Sequence, residues 1–176
     1  MTGRYHFNKA WPLLLTAGII GLDQLTKWAI VKTIPLNTVG WRLWNDFFRI
    51  IHVRNLGIAF SLGNGWPEIV RKLLFIILPL VVLGVLFIYY LKDRSLSRLQ
   101  GWALAGILGG GVGNILDRIF RPEGVVDFLD FRFYGLFGME RFPTFNVADS
   151  SVVVCGILLV ISFLFEERAR ARKGIR

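Results

Sequence analysis

Pro143-Thr144-Phe145-Asn146-Val147-Ala148-Asp149 opens the stretch that decides the fold: from Val147 to Phe165 the chain is otherwise apolar and long enough to cross a bilayer. Asn146 suits the position just before a helix and Asp149 its third residue, a reciprocal capping arrangement. The carboxylate then faces the positive end of the helix dipole, which favours its ionised form. An acid inside a span also costs free energy, which marks it as a candidate functional group. A second acid, Asp127 in Val125-Val126-Asp127-Phe128, precedes the span and can fold back onto the same membrane face.

Three further runs have spanning length: Ala10 to Ile30, Leu73 to Leu91 and Gly101 to Phe120. The 176 residues are 54% hydrophobic with a mean hydropathy of +0.54, above the roughly 45–50% apolar share of soluble domains. The expected fold is therefore a membrane all-α protein of one domain with four transmembrane helices. The first run continues through Asp23, Gln24 and Lys27 into Trp28-Ala29-Ile30, so it reads as a retained helix and not as a cleaved signal peptide. About forty residues separate the first two spans, too many for a tight connection. Trp41 to Trp44 and Phe47 to Val53 are aromatic and β-branched, which predicts a small extracytoplasmic β-sheet within an outer segment 35–65. Asn55-Leu56-Gly57 and Gly63-Asn64-Gly65-Trp66-Pro67 read as turns, with a helix starting near Glu68. Gly106, Gly109, Gly110, Gly111 and Gly113 make the third span a packing helix, and no Gly-Lys-Ser/Thr follows them to form a phosphate loop.

The net charge of +9 follows membrane topology. Arg4 and Lys9, then Lys92, Arg94 and Arg98, then Arg168, Arg170, Arg172, Lys173 and Arg176 crowd three short segments, which predicts both termini in the cytoplasm and a basic tail over 166–176. The basic residues are not arranged as a groove with interleaved aromatics, so no nucleic-acid partner is expected. Trp11 and Trp102 fall at inner ends, and Trp28, Trp41, Trp44 and Trp66 at or beyond outer ends, as in an aromatic belt.

Several chemistries lack their parts. His6 and His52 are the only histidines and Cys155 the only cysteine, so neither a zinc site nor a Ser-His-Asp triad assembles; no metal or organic cofactor is expected. Cys155 reads as a packing residue. What remains is polar residues on apolar helices. Asp23 and Lys27 lie four apart, on one face, in the favourable order for an ion pair. Asn114, Asp117 and Arg118 form a stripe in which Arg118 needs a partner, with Asp117 and Asn114 nearest in sequence. Two carboxyls brought together cannot both ionise easily, and one proton shared by two acids is what aspartyl hydrolysis uses. Spacing alone leaves Asp117, Asp127 and Asp130 open as the partner of Asp149. Depth and mobility favour Asp127: Arg118 is expected to occupy Asp117 and hold it ionised, and Asp130 reads as a solvated loop acid.

The ordered blocks Asp23-Gln24-Leu25-Thr26-Lys27, Asn55-Leu56-Gly57-Ile58-Ala59-Phe60-Ser61, Gly113-Asn114-Ile115-Leu116-Asp117-Arg118, Val125-Val126-Asp127-Phe128 and Phe145-Asn146-Val147-Ala148-Asp149-Ser150 resemble the bacterial lipoprotein signal peptidase family. The second block departs from the family's Asn-Thr-Gly-Ala-Ala-Phe-Ser at side chains without catalytic atoms. The resemblance implies an aspartyl endopeptidase of the inner membrane, monomeric, that cuts diacylglyceryl-modified prolipoproteins just before the lipidated cysteine. It implies Asp127 and Asp149 as the catalytic pair. It further implies that Asp23, Lys27, Asn55, Asn114, Arg118 and Asn146 shape the site and hold the substrate, near the outer face and against membrane lipid. Asp117 is left a structural polar role. Two rivals use the same residues: a proton-coupled carrier relaying through Asp23, Asp117 and Asp149, and a serine peptidase with Lys27 as base and Ser61 as nucleophile.

Overall fold

The structure is a computed structural model and describes residues 8–57, 65–172 and 174. Its long helices are α1 (Ala10–Thr33), α2 (Glu68–Lys92), α3 (Arg98–Phe120) and α4 (Val147–Arg172). All four are apolar and long enough to span a membrane. Their ends follow local chemistry. α1 stops before Ile34-Pro35, since a residue preceding proline avoids the helical region. α3 starts at a capping box in which Gln100 N donates to Ser97 Oγ (3.3 Å) and Ser97 N to Gln100 Oε1 (2.9 Å). Within α2, Leu73–Ile77 is a π-turn, closed by Leu78 N donating to Leu73 O, just before Pro79, which has no N–H to continue a regular ladder. α4 continues past Phe165, so residues 166 to 172 extend a helix where a tail is expected.

α3 is the hub. Of its most apolar window 56% is buried, against 11–17% in the other three, whose side chains are left facing lipid. Its glycines explain the difference. A Cβ at Gly109 would meet Thr16 O and Ile19 of α1, one at Gly111 would meet Leu83 of α2, and one at Gly110 would run into the Ala148 carbonyl of α4. Gly106 faces Cys155, which is a packing residue as expected. Backbone approach of this kind is what small residues give to helices that lack a hydrophobic driving force between them.

The sheet has three antiparallel strands in the order β1 (Thr38–Leu43), β2 (Phe48–Asn55), β3 (Val125–Phe131). β1 and β2 lie between the first two helices, as expected. β3 does not: it returns from beyond α3 and carries Asp127. Phe48 pairs with Phe131, Arg49 with Asp130 and Ile50 with Leu129, and after a register shift Val53 pairs with Asp127 and Asn55 with Val125. Phe145 bridges to Leu129 on the far side, so the lead into α4 is tied to the same sheet. Sheet and helices meet in a cluster of Ile30, Ile34, Val126 and Phe128.

Candidate active site

Five elements converge where β3 crosses the ends of α1, α3 and α4. The α4 N-terminus has the expected reciprocal cap: Asp149 N donates to Asn146 Oδ1 (2.9 Å), and Asn146 N to Asp149 Oδ2 (3.1 Å). The other Asp149 oxygen accepts from Asn114 Nδ2 on α3 (2.7 Å). Asn146, fully buried, turns its amide to β3, donating to Asp127 Oδ1 (2.7 Å), and also to Asn114 Oδ1 (3.1 Å). Asn55 at the end of β2 donates to Asp127 Oδ2 (3.1 Å) and accepts from Gly57 N (3.0 Å), the start of the expected turn. Asp127 and Asp149 are thus joined through two asparagines that fix the orientation of both carboxyls.

Beneath this layer lies a charged one. Lys27 has no exposed surface and reaches Asp23 (2.8 Å), Asp117 (3.1 Å) and Asn114 Oδ1 (3.0 Å). The expected Asp23–Lys27 pair forms, and Asp23 Oδ1 also accepts from Ala148 N in the first turn of α4 (3.0 Å). Gly113 makes room for it, since a Cβ there would sit 2.7 Å from Asp23 Oδ2. Asp117 accepts from Val126 N (3.0 Å), which ties α3 to the strand carrying Asp127. Lys27 therefore ties α1 to α3 and is taken up between two carboxylates, which argues against the serine-peptidase rival; its nucleophile, Ser61, lies outside the described residues.

Two expectations need correction. Arg118 does not pair with Asp117: it donates to the carbonyls of Asn114 (3.3 Å) and Gly57 (3.2 Å). Neighbouring residues on a helix do not face one another, and Asp117 is served by Lys27 and by Arg121, its i+4 neighbour. Asp130 is not a solvated loop acid. It is buried, because β2–β3 pairing sets Arg49 opposite it (2.5 Å) and Arg141 approaches through Nε (2.8 Å). Asp130 fastens the sheet and lies apart from the Asp127–Asp149 network.

Gln24 and Arg121 are site residues that the sequence does not single out. Gln24 Nε2 bridges Asp23 (3.1 Å), Gly113 O (3.1 Å) and Asp117 (3.0 Å), while its Oε1 accepts from Arg121 (3.0 Å). The i, i+4 spacing of Asp117 and Arg121 is the available signal.

The balance of charge leaves one acid in excess. Lys27, Arg118 and Arg121 supply three cations around Asp23, Asp117, Asp127 and Asp149, so one carboxyl is in excess and is least costly as the neutral acid. Asp127, on β3 outside the spanning helices, is pushed from its ordinary 3.8 up to about 7, first by burial and then by the charge of Asp149, against hydrogen bonds from Asn55 and Asn146 that favour the anion.

Residues 15–165 match the family described as signal peptidase (SPase) II. The chain belongs to the signal peptidase II family. It is 49% identical over 155 residues to a lipoprotein signal peptidase of Treponema denticola, covering 88% of this chain and 89% of that one. It is 43% identical over 162 residues to one of Treponema pallidum, covering 92% and 87%. A solved bacterial membrane enzyme superposes with a TM-score of 0.77 at 28% identity, covering 90% of each chain. Membership makes the chain a peptidase of the bacterial membrane, and the carrier alternative is not favoured. All five sequence blocks that carry the resemblance fall within the matched residues.

Proposed function

We propose that the protein removes signal peptides from diacylglyceryl-modified prolipoproteins by aspartyl catalysis, with Asp127 and Asp149 as the catalytic pair and cleavage just before the lipidated cysteine. The observation that carries this reading is the linkage of the two carboxyls through Asn114 and Asn146, with one acid more than the cations balance. Asp149 acts as the base and takes a proton from water as its oxygen adds to the scissile carbonyl carbon. Asp127, protonated, gives its proton to the carbonyl oxygen. Asp149 then passes its proton to the departing amide nitrogen, Asp127 recovers one from the gem-diol, the C–N bond breaks, and both acids return to their starting states. Asn55, Asn114 and Asn146 hold the carboxyls in place, while Arg118 steadies the Gly57 backbone beside them. No cofactor enters these steps, and a monomer suffices because every group comes from one chain.

Activity has a predictable pH dependence. Asp127 must be protonated to work, so kcat/KM holds below about 7 for as long as Asp149 stays ionised and falls about tenfold per pH unit above it, with one proton lost. Stability shares that sign: between about 3.8 and 7 the folded chain keeps a proton that the unfolded chain releases, so stability declines as pH rises through this window. A profile flat from pH 6 to 9, with chemistry rate-limiting, would remove Asp127 from the acid role.

The lipid is the second half of the proposal. A site at the membrane edge gains affinity from buried acyl chains at roughly 0.8 kcal/mol per CH₂, and only the part that also positions the cysteine raises the rate. A lipobox peptide with its diacylglycerol should be cleaved at least about a hundredfold faster than the unlipidated peptide in the same micelle. Equal rates would leave a general membrane peptidase without lipid recognition.

For orientation, both termini face the cytoplasm and the site faces outward. A reporter fused after Arg176 or within Lys92 to Arg98 should read cytoplasmic, and one inserted at Gly135 to Gly138 external. A cytoplasmic reading at Gly135 would put the site on the wrong side for an exported substrate.

A further inference from the structure

A cavity of about 450 Å³ lies beside the catalytic network, between the start of α2 and the end of α3. Its polar wall holds Glu68, Arg71, Lys72, Arg118 and Arg121. Two of those cations are already neutralised: Lys72 pairs with Glu68 (2.6 Å), and Arg121 with Asp117. Arg71 forms no ion pair among the described residues, while Arg118 donates to the Asn114 and Gly57 carbonyls and shares its charge with the Asp127–Asp149 network. Two guanidinium groups lining one cavity present the planar, forked donors that suit a phosphate.

Phe75, Ile76, Ile119 and Pro122 supply apolar lining. Ile119 and Phe120 at the end of α3 are exposed, as are Ile69 and Leu73 on α2, so the cavity adjoins surface that faces lipid. Both helices are spans that terminate here, which sets the cavity at the depth of the phosphate layer. We propose that this cavity binds the headgroup phosphate of an anionic phospholipid, its phosphate on Arg71 and Arg118 and its glycerol end along Phe75 and Ile119. Such a lipid is distinct from the substrate, whose glycerolipid carries no phosphate. It would sit as a resident neighbour of the catalytic cleft, because Asn55 and Arg118 border both.

The test is binding, so it does not depend on the peptidase reading. Native mass spectrometry of the full-length protein from neutral detergent would compare dioleoyl phosphatidylglycerol with dioleoyl phosphatidylcholine, using wild type, Arg71→Gln and Arg71→Lys. Wild type should favour the anionic lipid at least about fivefold, the worth of one interfacial cation. Arg71→Gln should bring the ratio near one at unchanged melting temperature, and Arg71→Lys should keep most of it. Equal binding of the two lipids by wild type overturns the proposal whether or not the variants fold. Full preference in Arg71→Gln overturns it too. Displacement of the lipid by millimolar inorganic phosphate would reduce the site to a free-anion site, and displacement by an acidic peptide would assign the cavity to a polypeptide; either result rejects the phospholipid.

Discussion

Asp127→Asn and Asp149→Asn should each lower cleavage of a diacylated lipobox peptide by at least about a thousandfold, and the double variant should be no worse than either alone. Each substitution keeps the side-chain shape and removes the ionisable group. The amide introduced at position 149 keeps one acceptor, for either Asn114 Nδ2 or Asn146 N, while Asn146 Oδ1 still caps α4, and the one introduced at position 127 can still receive one asparagine amide, so both variants should stay folded in the membrane. Non-additivity is the sharper criterion, because two acids exchanging one proton fail together. Losses that multiply would mean that the acids act in separate steps. Retained cleavage in Asp127→Asn with loss in Asp117→Asn would show that Asp149 has a different partner; the present geometry opposes this, since Asp117 is taken up by Lys27, Arg121 and Val126 N.

Lys27→Met should produce the largest stability loss of any single change in the site. The ammonium has no exposed surface and sits between Asp23 and Asp117. Removing it leaves two buried carboxylates short of a cation, a loss of roughly 3–5 kcal/mol for a broken buried pair. In purified protein of this size that corresponds to a melting temperature lower by roughly 6–20 °C. Adding Asp23→Asn should recover part of the loss, since it removes one of the stranded charges. Cleavage should weaken but persist at low temperature, because Lys27 positions Asn114 and does not exchange protons with the substrate. Complete loss of cleavage in a fully stable Lys27→Met protein would revive lysine as a base.

The helices are legible in the sequence because hydropathy over a span is a local property, and the Asn146–Asp149 cap is legible because its partners are three residues apart. The sheet is half legible. Aromatic and β-branched residues announce β1 and β2, but β3 is buried on both faces, so it lacks alternation, and its partners on β2 lie 70 to 83 residues away (Asn55 to Val125, Phe48 to Phe131). That long-range pairing is why Asp130 reads as solvated in the sequence: only the register reveals Arg49 opposite it. The Asp117–Arg118 error has another origin, adjacency in sequence taken for adjacency in space. The network among Asn55, Asn114 and Asn146 is not legible as geometry. Its members come from β2, α3 and the α4 cap, and motif order alone points to them.

The central claim is that one proton resides on Asp127 while Asp149 carries the charge, and infrared difference spectroscopy tests it most directly. Between pH 5 and 9 the wild-type protein should show a protonated-carboxyl band that vanishes with a midpoint near 7. The band should be absent from Asp127→Asn, and in Asp149→Asn its midpoint should fall because a charge that raises it is gone. Absence of the band in wild type at pH 5 to 6, under conditions where cleavage is at full rate, would contradict the account.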